Sequence, residues 1–142
     1  MSEATLWDRI RNTIGHRGHF ARIEFNPDAG IPDVTYCVKG EEGFIELKYT
    51  DSAPARESTA VFTNGGLRTS QVGWIHKRVK VGGRVWILPQ IGDELLLIPG
   101  RHCRVFNGMT LHLLRKAASW SASAPIGPGD WEGLLDALKE RG

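Results

Sequence analysis

The 142-residue sequence predicts an α/β domain: a central mixed β-sheet flanked by helices, with a C-terminal helical extension. Residues 30–49 place two runs of β-branched and aromatic residues around a polar, glycine-flanked turn, Lys39-Gly40-Glu41-Glu42-Gly43, the pattern of a β-hairpin. Residues 71–81 carry a helical stripe of Val72, Ile75 and Val79, followed after Gly82-Gly83 by the strand-like run Arg84-Val85-Trp86-Ile87-Leu88. Strand, helix, strand makes a crossover, so the second hairpin arm and the 84–88 run are expected to be parallel neighbours.

In chain order, Leu6, Ile10 and Ile14 recur at helical spacing over 4–14, with Trp7 beside them, Ser2 or Thr5 as cap and Gly15 as stop. His16 to His19 is a polar connection. Phe20 to Phe25 alternates as a strand, with Arg22 and Glu24 on one face and Ala21, Ile23 and Phe25 on the other. Asn26 to Gly30 is a turn into the hairpin. Residues 50–66 have no period and are rich in small residues. A loop of this length is expected to be functional, as a flap carrying Arg56 toward substrate or as a dimer arm. Thr69 or Ser70 caps the 71–81 helix, on which Gln71, Trp74 and Arg78 share a second face. Pro89 to Asp93 is a turn, Glu94 to Ile98 a buried strand and His102 to Phe106 a short strand. Met109 to Ser119 is a helix, 121–129 a flexible connector, and Asp130 caps a last helix with Trp131, Leu134, Leu135 and Leu138. The organisation is a core over 1–98 and a strand-and-helix extension of the same domain over 99–142.

Composition excludes several classes. No apolar stretch approaches the length of a membrane span, and the N-terminus lacks the basic start and apolar run of a secretory signal. Cys37 and Cys103 are too few for a disulfide framework, so a reducing cytosol is expected. The histidines form no zinc pattern. The net charge of +2 is unevenly spread. Residues 1–57 hold seven Lys/Arg against ten Asp/Glu, whereas 58–92 hold Arg68, Lys77, Arg78, Lys80 and Arg84 with no acid. Such a stretch is either a solvated helix face or a surface for phosphate backbones.

The chemistry-bearing residues lie on the hairpin. Glu46 and Lys48 are two apart and point to the same face of a strand. A register with Asp33 opposite Lys48, Thr35 opposite Glu46 and Cys37 opposite Phe44 adds Asp33 to that face. It leaves Val34, Tyr36, Val38, Ile45, Leu47 and Tyr49 for the core. Two carboxylates beside a lysine suit a hard divalent cation, with water and phosphate completing its shell.

Pro32-Asp33 followed by Glu46-Leu47-Lys48 resembles the signature of the PD-(D/E)xK nuclease superfamily. Gly30-Ile31-Pro32-Asp33 and Phe44-Ile45-Glu46-Leu47-Lys48 look most like its Holliday junction resolvase and VRR-NUC branches, including phage-type members. The resemblance spans roughly residues 1–98 and implies a restriction-endonuclease-like core. It implies a Mg²⁺-dependent deoxyribonuclease, with Mn²⁺ as a substitute, in the cytosol of a bacterium or a phage-infected host. Asp33, Glu46 and the backbone carbonyl of Leu47 would hold the metal, Lys48 would activate water, and Gln71 would point into the site. An extra acid is supplied by Glu3 or by Glu24. Arg22, Arg56, Arg68, Trp74, Lys77 and Arg78 are the candidate nucleic-acid contacts, and branched DNA and a homodimer are the expected partners. Two other readings stand beside this one. A non-catalytic nucleic-acid-binding or assembly module would use the same fold. Alternatively, Glu46 and Lys48 are the wet face of an amphipathic strand and Asp33 is a turn residue.

Overall fold

The computed structural model describes residues 2–23 and 27–141. Helix α1 (Glu3–Thr13) begins where the Thr5 backbone N–H donates to Ser2 Oγ at 3.2 Å, so Ser2 is the cap. Strands β1 (His19–Arg22), β2 (Val34–Val38) and β3 (Glu41–Thr50) form an antiparallel meander. Helix α2 (Thr69–Lys80) crosses over to β4 (Val85–Ile91), which pairs with β3 in parallel, as the strand–helix–strand pattern predicts. Strands β5 (Glu94–Pro99) and β6 (Trp120–Ser123), with α3 (Leu111–Ala117) between them, complete a six-stranded mixed sheet in sequential order. Helix α4 (Pro128–Leu138) closes the chain.

Each face of the sheet is covered. On one, α1 and α4 bury Leu6, Trp7, Ile10, Trp131, Leu134 and Leu138 against Val34, Tyr36, Ile45 and Leu47. On the other, α2, α3 and the long loop bury Ile75, Leu114 and Phe62 against Ile87, Leu96 and Ile98. Among the described residues no helix is long and apolar enough to cross a membrane. Tyr36 ties the first face to the chain's end. Its hydroxyl donates to the Leu138 carbonyl at 2.6 Å and accepts from Trp86 Nε1 at 2.9 Å. Tyr36→Phe strands both partners in the core, and urea titration is expected to show a loss of about 2 kcal/mol. An unchanged midpoint would mean that water replaces the hydroxyl.

Several details differ from the sequence expectation. The hairpin turn is only Lys39-Gly40, both at positive φ (50° and 83°), a tight turn whose twist matches the strands. Glu41, Glu42 and Gly43 therefore join β3, and Thr35 pairs with Phe44, not with Glu46. This is a two-residue shift, which preserves which side chains share a face. On β1, Phe20 stacks on Tyr36 with ring centroids 5.9 Å apart and packs on the core from the face opposite Ala21, while Arg22 at the strand's end is exposed. Strand β4 runs through Pro89. The β4–β5 ladder pairs Ile87 with Ile98 and then Gln90 with Leu95, passing over Leu88 and Pro89, where proline offers no N–H. Residues 100–102 and 106–108 are 3₁₀ turns and not a strand. The first residues of the expected connector at 121–129 belong to edge strand β6. Gly127, with its N–H donated to Asp130 Oδ2, caps α4 in place of Asp130. The C-terminal third is thus an integral part of sheet and core.

Candidate active site

The second hairpin arm alternates, so Ile45 and Leu47 enter the α1/α4 core while Glu46 and Lys48 face α2. That face is not wet. Glu46 is 1% exposed, Lys48 6% and Gln71 4%. This burial overturns the reading of Glu46 and Lys48 as a solvated strand face.

Three side chains interlock there. Gln71 Nε2 donates to Glu46 Oε2 at 2.9 Å, Lys48 Nζ lies 3.4 Å from the same oxygen, and Lys48 donates to Gln71 Oε1 at 3.4 Å. Gln71 Oε1 also accepts the Arg68 backbone N–H at 2.9 Å. One amide therefore caps the start of α2 and orders the strand residues beneath it. Asp33, just before β2, accepts the Leu47 backbone N–H on Oδ2 at 3.0 Å, which pins it beside the strand that carries Glu46.

The remaining oxygen, Glu46 Oε1, is buried without a hydrogen-bond partner. Burial first, then the Asp33 carboxylate, pushes the Glu46 pKa up to about 8 against the opposing pull of Lys48. In the absence of a cation, Glu46 is therefore held largely protonated around neutral pH. Glu3, on the first turn of α1, is also raised. Burial is the main cause and Asp33 adds to it, while Lys48, Arg22 and Arg68 oppose it.

These groups open on a cleft of about 410 Å³ lined by Glu3, Asp33, Glu46, Lys48, Gly65, Gly66, Arg68 and Gln71. Among the described residues no three His, Cys, Asp or Glu side chains form a ready ligand cluster. The pair of hard carboxylates does fit a divalent cation that keeps water and phosphate in its shell, and the orphaned Glu46 oxygen is a donor without an occupation.

The other candidates are spread more widely. Arg22 is exposed on β1, within electrostatic reach of Glu3. Arg78 lies over Trp74 and Phe44, with its guanidinium carbon 4.6 Å and 5.2 Å from the ring centroids, and Trp74 packs edge-on against Phe44. Trp74 is thus engaged in the sheet–helix contact. Lys77 is exposed in the last turns of α2. Arg56 lines a separate hollow with Leu111, His112 and Arg115, and the 53–59 segment faces α3, not the cleft. Instead, the later part of that loop buries Val61, Phe62 and Leu67 and brings Gly65 and Gly66 to the cleft wall. Sequence reasoning missed those two glycines, for which the adjacent Gly-Gly was the available signal. Glu24 lies outside the described residues.

In sequence, no protein-family model matches the chain and no curated protein matches it. Among solved structures the chain is similar to Hjc, a Holliday junction resolvase from Archaeoglobus fulgidus, with 12% identity, 70% of this chain and 73% of that chain covered, and a TM-score of 0.48.

Proposed function

We propose that the protein is a metal-dependent endonuclease that hydrolyses DNA phosphodiester bonds, acting on branched DNA in the manner of a junction resolvase. The observation that carries this reading is the desolvated Glu46 carboxylate, held against Asp33 and clamped by Lys48 and Gln71 at the floor of an open cleft. A buried carboxylate with an unpartnered oxygen, set beside a second, half-buried one, is costly to the fold and is the kind of arrangement kept for chemistry.

Asp33, Glu46 and the Leu47 carbonyl would hold Mg²⁺, or Mn²⁺ in its place. A bound divalent cation supplies a more acidic water and neutralises charge on the phosphate. Lys48, kept in position by Gln71, orients the attacking water and balances phosphate charge. Glu3 is the extra acid that lines the cleft. Arg68 and Arg22 meet flanking phosphates, and Lys77 with the Arg78–Trp74 stack extends the positive surface along α2. Cutting both strands of a junction calls for two clefts, hence a symmetric homodimer.

The test is cleavage of labelled duplex, single strand, flap and four-way junction, with Mg²⁺ or Mn²⁺ against EDTA. Metal-dependent cutting is expected, reduced about a hundredfold or more by Lys48→Ala. Tight binding without cutting in any metal would identify a binding or assembly module. Full activity in Lys48→Ala would remove the lysine from the mechanism.

A further inference from the structure

We propose that the elbow at residues 65–68 is the phosphate grip of the cleft, with Arg68 as its contact and Asn107 as its positioning residue; this rests on the nuclease reading above. Gly65, Gly66 and Arg68 line the same cleft as Asp33, Glu46 and Lys48. Arg68 is exposed, and among the described residues its guanidinium makes no hydrogen bond or ion pair. Its charge nonetheless reaches the cleft, since it opposes the upward shift of Glu3. An unpaired guanidinium at the rim of a carboxylate site is suited to a phosphate oxygen pair, which it meets with two parallel N–H bonds.

What distinguishes this arginine from others on the surface is how its backbone is held. The elbow belongs to no helix or strand. Asn107, on the 106–108 turn, replaces a ladder. The Leu67 N–H donates to Asn107 Oδ1 at 2.8 Å, and Asn107 Nδ2 donates back to the Leu67 carbonyl at 2.8 Å. The approach is so close that a Cβ on Gly66 would lie 2.1 Å from Asn107 Oδ1 and 2.6 Å from the Phe62 carbonyl. Leu67 is buried beneath the clamp. One residue on, the Arg68 N–H is held by Gln71, whose other amide atom holds Glu46. Asn107, Leu67, Arg68, Gln71 and Glu46 are thus joined, by hydrogen bonds and the one peptide bond between Leu67 and Arg68, from a surface turn to the site carboxylate. Asn107 does not line the cleft, so it acts through where it sets the elbow, and first of all Arg68. A guanidinium on a clamped backbone reaches its phosphate with less freedom to lose, which is worth rate and affinity.

The experiment is a double-mutant cycle read as kcat/KM on the DNA that the wild type cuts. Melting curves accompany it, as does fluorescence anisotropy of the labelled DNA in EDTA. Arg68→Ala is expected to lower kcat/KM by about 10-fold to 100-fold, the loss of a charged hydrogen-bonded contact, and to reduce the salt slope of binding by about one. Asn107→Ala is expected to lower kcat/KM by about 5-fold to 10-fold. The double variant should be no worse than Arg68→Ala alone, because a positioning residue has nothing left to position. Gly66→Ala, which displaces the same elbow from the other side, should cost clearly less in the Arg68→Ala background than with Arg68 present. Asn107 and Arg68 losses that multiply would overturn the assignment, because a general loss of fold adds to any other. A wild type that cuts DNA while Arg68→Ala equals it would remove the grip and leave the nuclease reading standing. A wild type that neither cuts nor binds DNA would remove both.

Discussion

Replacing Glu46 by Gln is expected to cost about a thousandfold in metal-dependent cleavage and, at the same time, to stabilise the metal-free protein at alkaline pH. The two effects share one cause. Glu46 is held at about 8 by burial and by Asp33, against about 4.3 in an unfolded chain. Between those values the folded state binds the extra proton, so stability falls as pH rises. The contribution is fully present below about pH 4 and is lost as pH passes through 8. From one limit to the other it amounts to about 3–5 kcal/mol. Glutamine keeps an acceptor for Gln71 Nε2 and carries no charge, so in EDTA the variant should hold its stability from pH 6 to pH 8.5 while the wild type loses it. Mg²⁺ added at pH 8.5 should restore the wild type by mass action and leave Glu46→Gln unmoved. Urea midpoints at two pH values, with and without metal, read all of this. Parallel pH slopes in the two proteins would show that Glu46 is not the desolvated group.

Gly30→Ala is expected to be the most disruptive single methyl addition near the cleft, costing about 3 kcal/mol or more with most of the cleavage activity. Gly30 sits at φ 73°, and a Cβ there would lie 2.1 Å from the Ser70 carbonyl oxygen and 2.9 Å from the Gln71 backbone nitrogen. Backbone cannot yield as a flexible side chain can. The methyl must drive the arm that carries Asp33 away from the first turn of α2, which carries Gln71. Gly40→Ala is the internal control. Its φ of 83° imposes similar strain, yet nothing lies within 4 Å of the added atom. That variant should lose only about 1 kcal/mol and little activity. Equal losses at the two positions would mean that strain alone acts, and that the Asp33 arm is not braced on α2.

The paired outcomes also separate stability from chemistry. Glu46→Gln raises one and removes the other, as expected where a site keeps a group the fold would be better without. Gly30→Ala lowers both, because it displaces groups without altering any of them.

Local pattern determined much of this protein. A period of two places Glu46 and Lys48 on one face of β3 whatever the neighbouring strand does. The actual turn at Lys39-Gly40 shifts the pairing by two residues, an even number, so Asp33 stays on the same side despite the changed partners. The strand–helix–strand spacing likewise sufficed for the parallel β3–β4 pair. Gln71 was legible only through the resemblance, since one polar residue on a helix has no periodic signature. Tertiary structure alone decided the rest. It closed α2 over Glu46, which converts an ordinary strand carboxylate into a desolvated one. It folded the aperiodic loop so that Phe62 and Leu67 enter the core and Gly66 meets Asn107, forty-one positions away along the chain. It also added β6 and α4 to the sheet and core. The physical reason is common to all three. Periodicity records which side of an element is apolar, but burial, and with it the energy of a charge, depends on what the remote parts of the chain bring against that side.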